Sequence, residues 1–466
     1  MSKDMNDFYS HFKSVCTLAL NSGNAAAPMS IVGLKKQSLT RQEVKRFTSA
    51  CHRGFDKAQR RIVTMLDEVR ANPDLHAEER KYRELLLRKL MDGIAVTMLQ
   101  MRIHLMRRLL IHDTAPFVEI GTIKENLKVA NSLNEESRMT FALVADLTTF
   151  VHITDILRVD LRSHPLKLSM TDVKTGKVNG LLLDRLESYE PDRKDLERLR
   201  HDVQIRPGHL KQAERMLRQR IRVGQIEQIM KTDIGEDYES GLPIRWSLQE
   251  SAIPSYAQFL NGLCSTAVET GVSGGTVARC LHLGVGNSGD TDHAKGNALS
   301  GVKAAYHNNY RSPPVGMEEV LRELISIKTP GDQPIVGDIF LSNLNALAVL
   351  PFLIWDLSQK HIELLYQRRL VIYMMFDAPG FIWMSRNVAG IDIAFHSKRE
   401  TSELIQKFGV QNIVTVRGRS LKMSIRGQWT TVGGGILSRF VNDLSNPIAF
   451  MKSYKSAHFA SEGSIA

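Results

Sequence analysis

Seven cations crowd the stretch from Arg41 to Leu66: Arg41, Lys45, Arg46, Arg53, Lys57, Arg60 and Arg61. At about 100° per residue they fall within roughly half a helix circumference. Val44, Phe47, Cys51, Phe55, Ile62, Met65 and Leu66 fall on the other half, and only Glu43, Asp56 and Asp67 interrupt the charge. The chemistry this permits is phosphate neutralisation, by guanidinium forks and by ammonium groups. A solvated surface face is the competing reading.

A second basic run lies between Arg206 and Arg222, where Arg206, His209, Lys211, Arg215, Arg218, Arg220 and Arg222 face one acid, Glu214. A third set, Arg386, Lys398, Arg399, Arg417, Arg419, Lys422, Arg426 and Arg439, sits near turns and short strands. Converging on a long phosphate backbone is one use for regions so far apart in sequence. With aromatics at only 7%, such binding reads the backbone more than the bases. Trp246, Tyr306 or Trp429 are the residues available to stack a base, although packing is the simpler role for each.

The bulk numbers agree with a polyanion partner. Over 466 residues the formal net charge is +11, with 43% hydrophobic and 24% charged residues, which suits a folded basic protein. Cys16, Cys51, Cys264 and Cys280 are scattered and form no CxxC, so a zinc ribbon or disulfide framework is not expected. No signal-peptide core or membrane-length apolar run is visible, and the expectation is an intracellular protein able to enter the nucleus. Lys35-Lys36, Arg60-Arg61 and Arg368-Arg369 are candidate import signals.

Glycine dominates residues 271–301. Gly284-Val-Gly286-Asn-Ser-Gly289 spells GxGxxG, but Leu281 to Leu283 reads as too short a strand and Asp290 to His293 as a poor helix start. The stretch is expected to be a mobile or ligand-hugging loop. Cys280, His282, Asp290, Asp292 and His293 match no closed metal-ligand spacing. No serine–histidine–acid or paired-carboxylate constellation is visible, so neither catalysis nor any cofactor or metal is expected.

The elements that must position these residues read as mainly α. Residues 41–70, 77–111, 135–160, 191–231, 254–270, 315–328 and 335–376 carry helical spacing, and Met170 to Gly180 a short hairpin. Strands are expected only late, around Gln411 to Val416 and Ser420 to Ile425. The expected organisation is a flexible arm over 1–30, a basic helical lobe over 31–234, a second helical lobe over 235–435, and a C-terminal segment over 436–466.

Two late segments carry a resemblance. Lys303-Ala-Ala-Tyr306 leads through Pro313 to Ile327-Lys-Thr-Pro330-Gly331, then to Gly337-Asp338-Ile-Phe-Leu341 and Ala346-Leu-Ala-Val349. Phe381-Ile-Trp383-Met384-Ser385 runs on to Ala389 and Asp392, and Leu421-Lys-Met423-Ser-Ile425 to Trp429 and Gly433-Gly-Gly435. In this order the strings resemble influenza-type orthomyxovirus nucleoproteins, as a distant relative. The first 240 residues carry no alignable pattern, the tail is shorter, and only Arg279 and Lys295 flank the glycine-rich loop where the family has paired arginines.

The resemblance implies a two-lobed helical nucleoprotein that coats single-stranded negative-sense genomic RNA in a groove. It implies homo-oligomers joined by an exchanged tail loop, here Ile436 to Met451 within the 436–466 segment. Arg439 would be the latch arginine, with Phe440 beside it in the loop and Asp392 as the acceptor carboxylate. A viral RNA polymerase and nuclear import receptors are the implied partners, and the virion ribonucleoprotein and host nucleus or cytoplasm the implied locations. The rival readings are a nucleocapsid protein of another negative-strand RNA virus, an enzyme using 284–297 on a nucleotide, and a helical scaffold meeting membrane lipids.

Overall fold

The computed structural model describes residues 3–24, 40–99, 101, 106, 109–110, 118–161, 167–171, 173, 177–186, 188–190, 193–202, 205–232, 234–236, 243–245, 253–309, 336–347, 349–409, 413–416, 418–425 and 427–460. Within them the chain is mainly helical, with short antiparallel strands in small sheets. It divides into two units, Met1–Trp246 and Ser247–Ala466.

The first unit begins with α1 (Lys3–Asn24), which replaces the arm expected over residues 1–30. Phe8, Phe12, Val15 and Ala19 recur at three- and four-residue spacing and are buried, so this segment has an apolar stripe to hold it. α1 packs on α2 (Arg41–Ala71), crossing it at Gly54, where a Cβ would lie 2.5 Å from Ser22 Cβ. Thr40 caps α2 in a reciprocal box with Glu43, whose carboxyl these hydrogen bonds hold below its usual range. Asn72, ahead of Pro73, ends the helix.

α3 (Ala77–Met98) and α4 (Ile120–Glu136) follow, then β1 (Thr140–Val144), β2 (Ile156–Asp160) and β3 (Lys167–Thr171) in one antiparallel sheet. These strands correct the helix expected over 135–160. Phe141 to Val144 are buried without alternation, and an apolar run of that kind carries no period to separate strand from helix.

Because β2 covers one side of β1, Thr140, Ala142 and Val144 turn backbone groups to the other side. Side chains close that edge. His52 Nε2 donates to the Thr140 carbonyl at 3.1 Å. Gln59 donates to the Ala142 carbonyl at 3.3 Å and accepts from the Val144 amide at 2.9 Å. Asn134 of α4 donates to the Ala142 carbonyl at 3.2 Å and accepts from the Ala142 amide at 2.7 Å. The two amide side chains stand where another strand would, and they fix α2 and α4 to the sheet.

The unit continues with α5 (Lys177–Leu186), α6 (Arg193–Arg200) and α7 (Pro207–Thr232), packed through Leu186, Tyr189, Leu199 and Leu217. The helical α5 corrects the hairpin expected over Met170 to Gly180. Pro207 occupies the first position of α7, where its missing N–H costs nothing. β4 (Ile234–Glu236) pairs with β5 (Pro243–Arg245), so the unit ends beyond the boundary expected at 234.

In the second unit α8 (Ala257–Thr270) precedes β6 (Val272–Val277), β7 (Leu281–Asn287) and α9 (Thr291–Asn309). β8 (Val336–Asp338), α10 (Ile339–Asn345), α11 (Gln359–Tyr366) and β9 (Leu370–Phe376) complete a sheet ordered β6-β7-β9-β8. The expected glycine-rich loop is therefore a hairpin under a helix. A Cβ on Gly284 would sit 2.0 Å from the Ala298 carbonyl oxygen, and one on Gly286 2.0 Å from that of Ala294. These glycines let the α9 backbone lie directly on β7. β8 and β9 also correct the helices expected over 335–376, while residues 310–335 lie outside the described residues.

α12 (Ala378–Met384) runs into a π turn at Ser385–Ala389. β10 (Asp392–Phe395), α13 (Lys398–Phe408), β11 (Thr415–Val416), β12 (Arg419–Ile425) and β13 (Gln428–Thr431) form the other sheet and its helix. α14 (Gly434–Val441) and α15 (Pro447–Ala460) end the described chain.

Burial holds the His52 imidazole below its ordinary value by disfavouring the charged ring, and the nearby Arg138 adds to this. The unfolded chain then takes the proton first, so this group's contribution to stability is lost as pH falls below the ordinary histidine range. His52→Gln keeps a donor for Thr140 and should flatten that acid-side decline in a pH series of denaturant midpoints. An unaltered decline would mean that His52 titrates freely.

Candidate nucleic-acid interface

α2 carries its seven cations in two different states. Arg60 pairs with Asp56 at 3.1 Å and Glu135 at 3.5 Å, and Arg61 lies 3.8 Å from Glu68. Arg41, Lys45, Arg46, Arg53 and Lys57 are exposed, and among the described residues no carboxylate lies within ion-pair distance of any of them. Arg46, Arg53 and Lys57 form one line along the helix. Arg41 and Lys45 lie on the first turns, where the helix dipole adds to their positive field. Val44, expected on the apolar stripe, is 41% exposed there. The α2 core packing begins in earnest at Phe55, with Ile62, Met65 and Leu66 buried behind it.

On α7, Lys211, Arg215, Arg218 and Arg222 share a stripe at spacings of four, three and four. Arg206, Lys211 and Arg215 are exposed and without a carboxylate at ion-pair distance among the described residues. Arg218 shares Glu214 with Arg200, at 3.2 and 3.0 Å, and Arg222 is half-buried.

In the third set several of the described cations are engaged within the fold. Arg386 donates to the Ile393 carbonyl at 2.7 Å and lies 3.8 Å from Asp392. Arg419 donates to the His396 carbonyl at 2.8 Å and lies over the Phe395 ring. Arg417 and Arg426 lie outside the described residues, as does Trp246.

Within this chain the stretch expected as a tail loop, Ile436 to Met451, lies in α14, a short connection and the first turns of α15. Phe440 is fully buried beside Phe381 and Phe450, with ring centroids 6.0 and 5.6 Å away, and its carbonyl accepts from Tyr256 Oη at 2.7 Å. Arg439 is buried and pairs with Asp443 at 3.4 Å, while Asp443 also accepts from the Leu350 amide at 3.0 Å. Asp392 faces Arg386, not Arg439. Asp443 lies just past the C-cap of α14, four residues on from Arg439, so the two pair locally.

The remaining candidates resolve by position. Cys280 and His282 are buried on β7, where His282 Nδ1 lies 2.9 Å from Thr276 Oγ1 and its ring stands edge-on to Tyr306. Burial pushes the Cys264 thiol up to about 12 and the Cys280 thiol up as well. Asp290 turns inward to cap α9, accepting from the Asp292 and His293 amides at 3.0 Å each, which lowers its carboxyl. Among the described residues no group of three or more His, Cys, Asp or Glu could hold a metal ion. No helix among them is long and apolar enough to cross a membrane.

Two aromatic–cation pairs involve an exposed tryptophan. Lys422 Nζ lies 5.4 Å from the ring of Trp429, and Arg279 Cζ lies 4.1 Å from that of Trp383. The second pair escapes a reading of the chain, because Arg279 and Trp383 meet only through the fold. No family model, curated protein or solved structure matches the chain.

Replacing Arg439 by alanine would leave the Asp443 carboxylate buried without its cation. The second unit should lose about 3–5 kcal/mol in denaturant unfolding. Unchanged stability together with loss of oligomers would instead assign Arg439 to a neighbouring subunit.

Proposed function

We propose that the chain is a non-catalytic nucleoprotein that packages single-stranded negative-sense RNA and presents it to a viral polymerase. In this reading its two units are the two lobes of a distant influenza-type nucleoprotein. The observation that carries it is the row of exposed, unbridged cations on α2, a helix anchored by the edge of β1. Arg206, Lys211 and Arg215 in the same unit extend the set.

Each cation that meets a phosphate releases a counterion, so affinity comes from many equivalent contacts and carries little sequence preference. Self-association makes the coating cooperative. Assembly through the C-terminal segment would require Arg439 to exchange Asp443 for a carboxylate on a neighbour. Import receptors would read exposed basic pairs, and Arg60-Arg61 serves that role poorly while it is bridged.

Replacing Arg41, Lys45, Arg53 and Lys57 together by alanine should weaken binding of every RNA sequence alike. The slope of log affinity against log salt should flatten by about 3, since each single-strand phosphate contact contributes about 0.7. Anisotropy titrations across a salt series read both quantities. An unaltered slope would make α2 a solvated face.

A further inference from the structure

We propose that Arg279 and Trp383 form a clamp for one nucleotide of single-stranded nucleic acid, an inference that rests on the nucleoprotein reading. The base stacks on the indole–guanidinium pair, and the guanidinium edge holds its phosphate. Within the second unit this is a base contact, distinct in kind from the phosphate contacts proposed for α2 and α7 in the first.

The pair is built, not incidental. Ala278 and Arg279 both take left-handed backbone, with φ of 53° and 63°, in the turn that joins β6 to β7. A hairpin turn with two such residues normally carries asparagine and glycine, so two residues bearing Cβ are held there against their preference. Three contacts hold them. The Asp377 amide donates to the Cys280 carbonyl at 2.7 Å, and Asn309 Nδ2 donates to the Arg279 carbonyl at 3.5 Å. At Gly380 a Cβ would lie 2.1 Å from the Arg279 carbonyl oxygen, so α12 can rest on the turn only because that residue is glycine. Trp383, three residues on along α12, is thereby brought beneath the guanidinium.

The chemistry left open suits a nucleotide. Trp383 is 43% exposed and Arg279 is exposed. Among the described residues no carboxylate lies within ion-pair distance of Arg279, unlike Arg60, Arg218, Arg386 and Arg399. Stacking engages the flat face of a guanidinium, and its in-plane N–H donors stay available for phosphate oxygens. An aromatic face with a planar cation on it accepts any base, which agrees with sequence-independent coating.

The test uses the full-length, nucleic-acid-free protein and two labelled oligomers of equal length, oligouridylate and its abasic ribose-phosphate counterpart. Trp383→Ala should lower affinity for oligouridylate roughly tenfold, while changing affinity for the abasic oligomer less than about twofold. Trp383→Phe should retain most of the binding, and Arg279→Lys should weaken oligouridylate more than the abasic oligomer. Equal losses on both oligomers, or no loss, would overturn the clamp while leaving the nucleoprotein reading intact. Failure of the unsubstituted protein to bind either oligomer would overturn both. Photocrosslinking of 5-iodouridine RNA to the unsubstituted protein avoids any folding defect: an adduct at Trp383 supports the clamp, and adducts confined to other residues overturn it.

Discussion

The edge of β1 that no strand covers is the constraint on which the first unit depends. Its outward N–H and C=O groups lie in the core, where an unpaired one would cost about 1–3 kcal/mol. His52 and Gln59 from α2 and Asn134 from α4 satisfy them. Hydrogen bonds are directional, so meeting this demand also sets the rotation of α2 about its own axis. Asp56, between His52 and Gln59, accepts from Asn134 at 3.2 Å and holds Arg60 at 3.1 Å. The cations left unbridged are those that this arrangement turns outward. A polar demand of the core thus decides which charges remain free for a polyanion.

The second unit solves its packing by the opposite means. Where α2 meets its sheet through long polar side chains, α9 meets its own through their absence. Ala294, Ala298 and Gly301 lie on Gly274, Gly284 and Gly286 with backbone against backbone. The GxGxxG string therefore has a structural use, since the Cα faces of Gly284 and Gly286 are covered by α9 and not open to a phosphate. The same economy recurs at Gly380, where it brings α12 onto a strained turn.

What could be read from the residues alone follows from which signals are local. The start of α2 at Arg41 and its cations are local, and the helix runs over almost the span their spacing suggests. β1 is illegible in the sequence because its outer edge is completed by His52 and Gln59, more than eighty positions away in α2. The hairpin at 272–287 was hidden because glycine argues against strand unless a helix backbone lies close by. The role that the resemblance implies for Arg439 involves a neighbouring subunit, whereas within this chain the arginine lies 3.4 Å from Asp443. The Arg279–Trp383 pair joins residues about a hundred positions apart and leaves no local trace.

The central claim is that the unbridged cations of α2 and α7 bind single-stranded RNA through its phosphates. The most direct measurement is anisotropy of a fluorescent mixed-sequence single-stranded RNA, titrated with nucleic-acid-free protein at about 50 and 200 mM salt. Five cations on α2 and three at α7, each contributing about 0.7 to the slope, predict an affinity loss of roughly three orders of magnitude between those conditions. Binding that is absent at the lower salt, or that hardly changes between the two, would contradict the account.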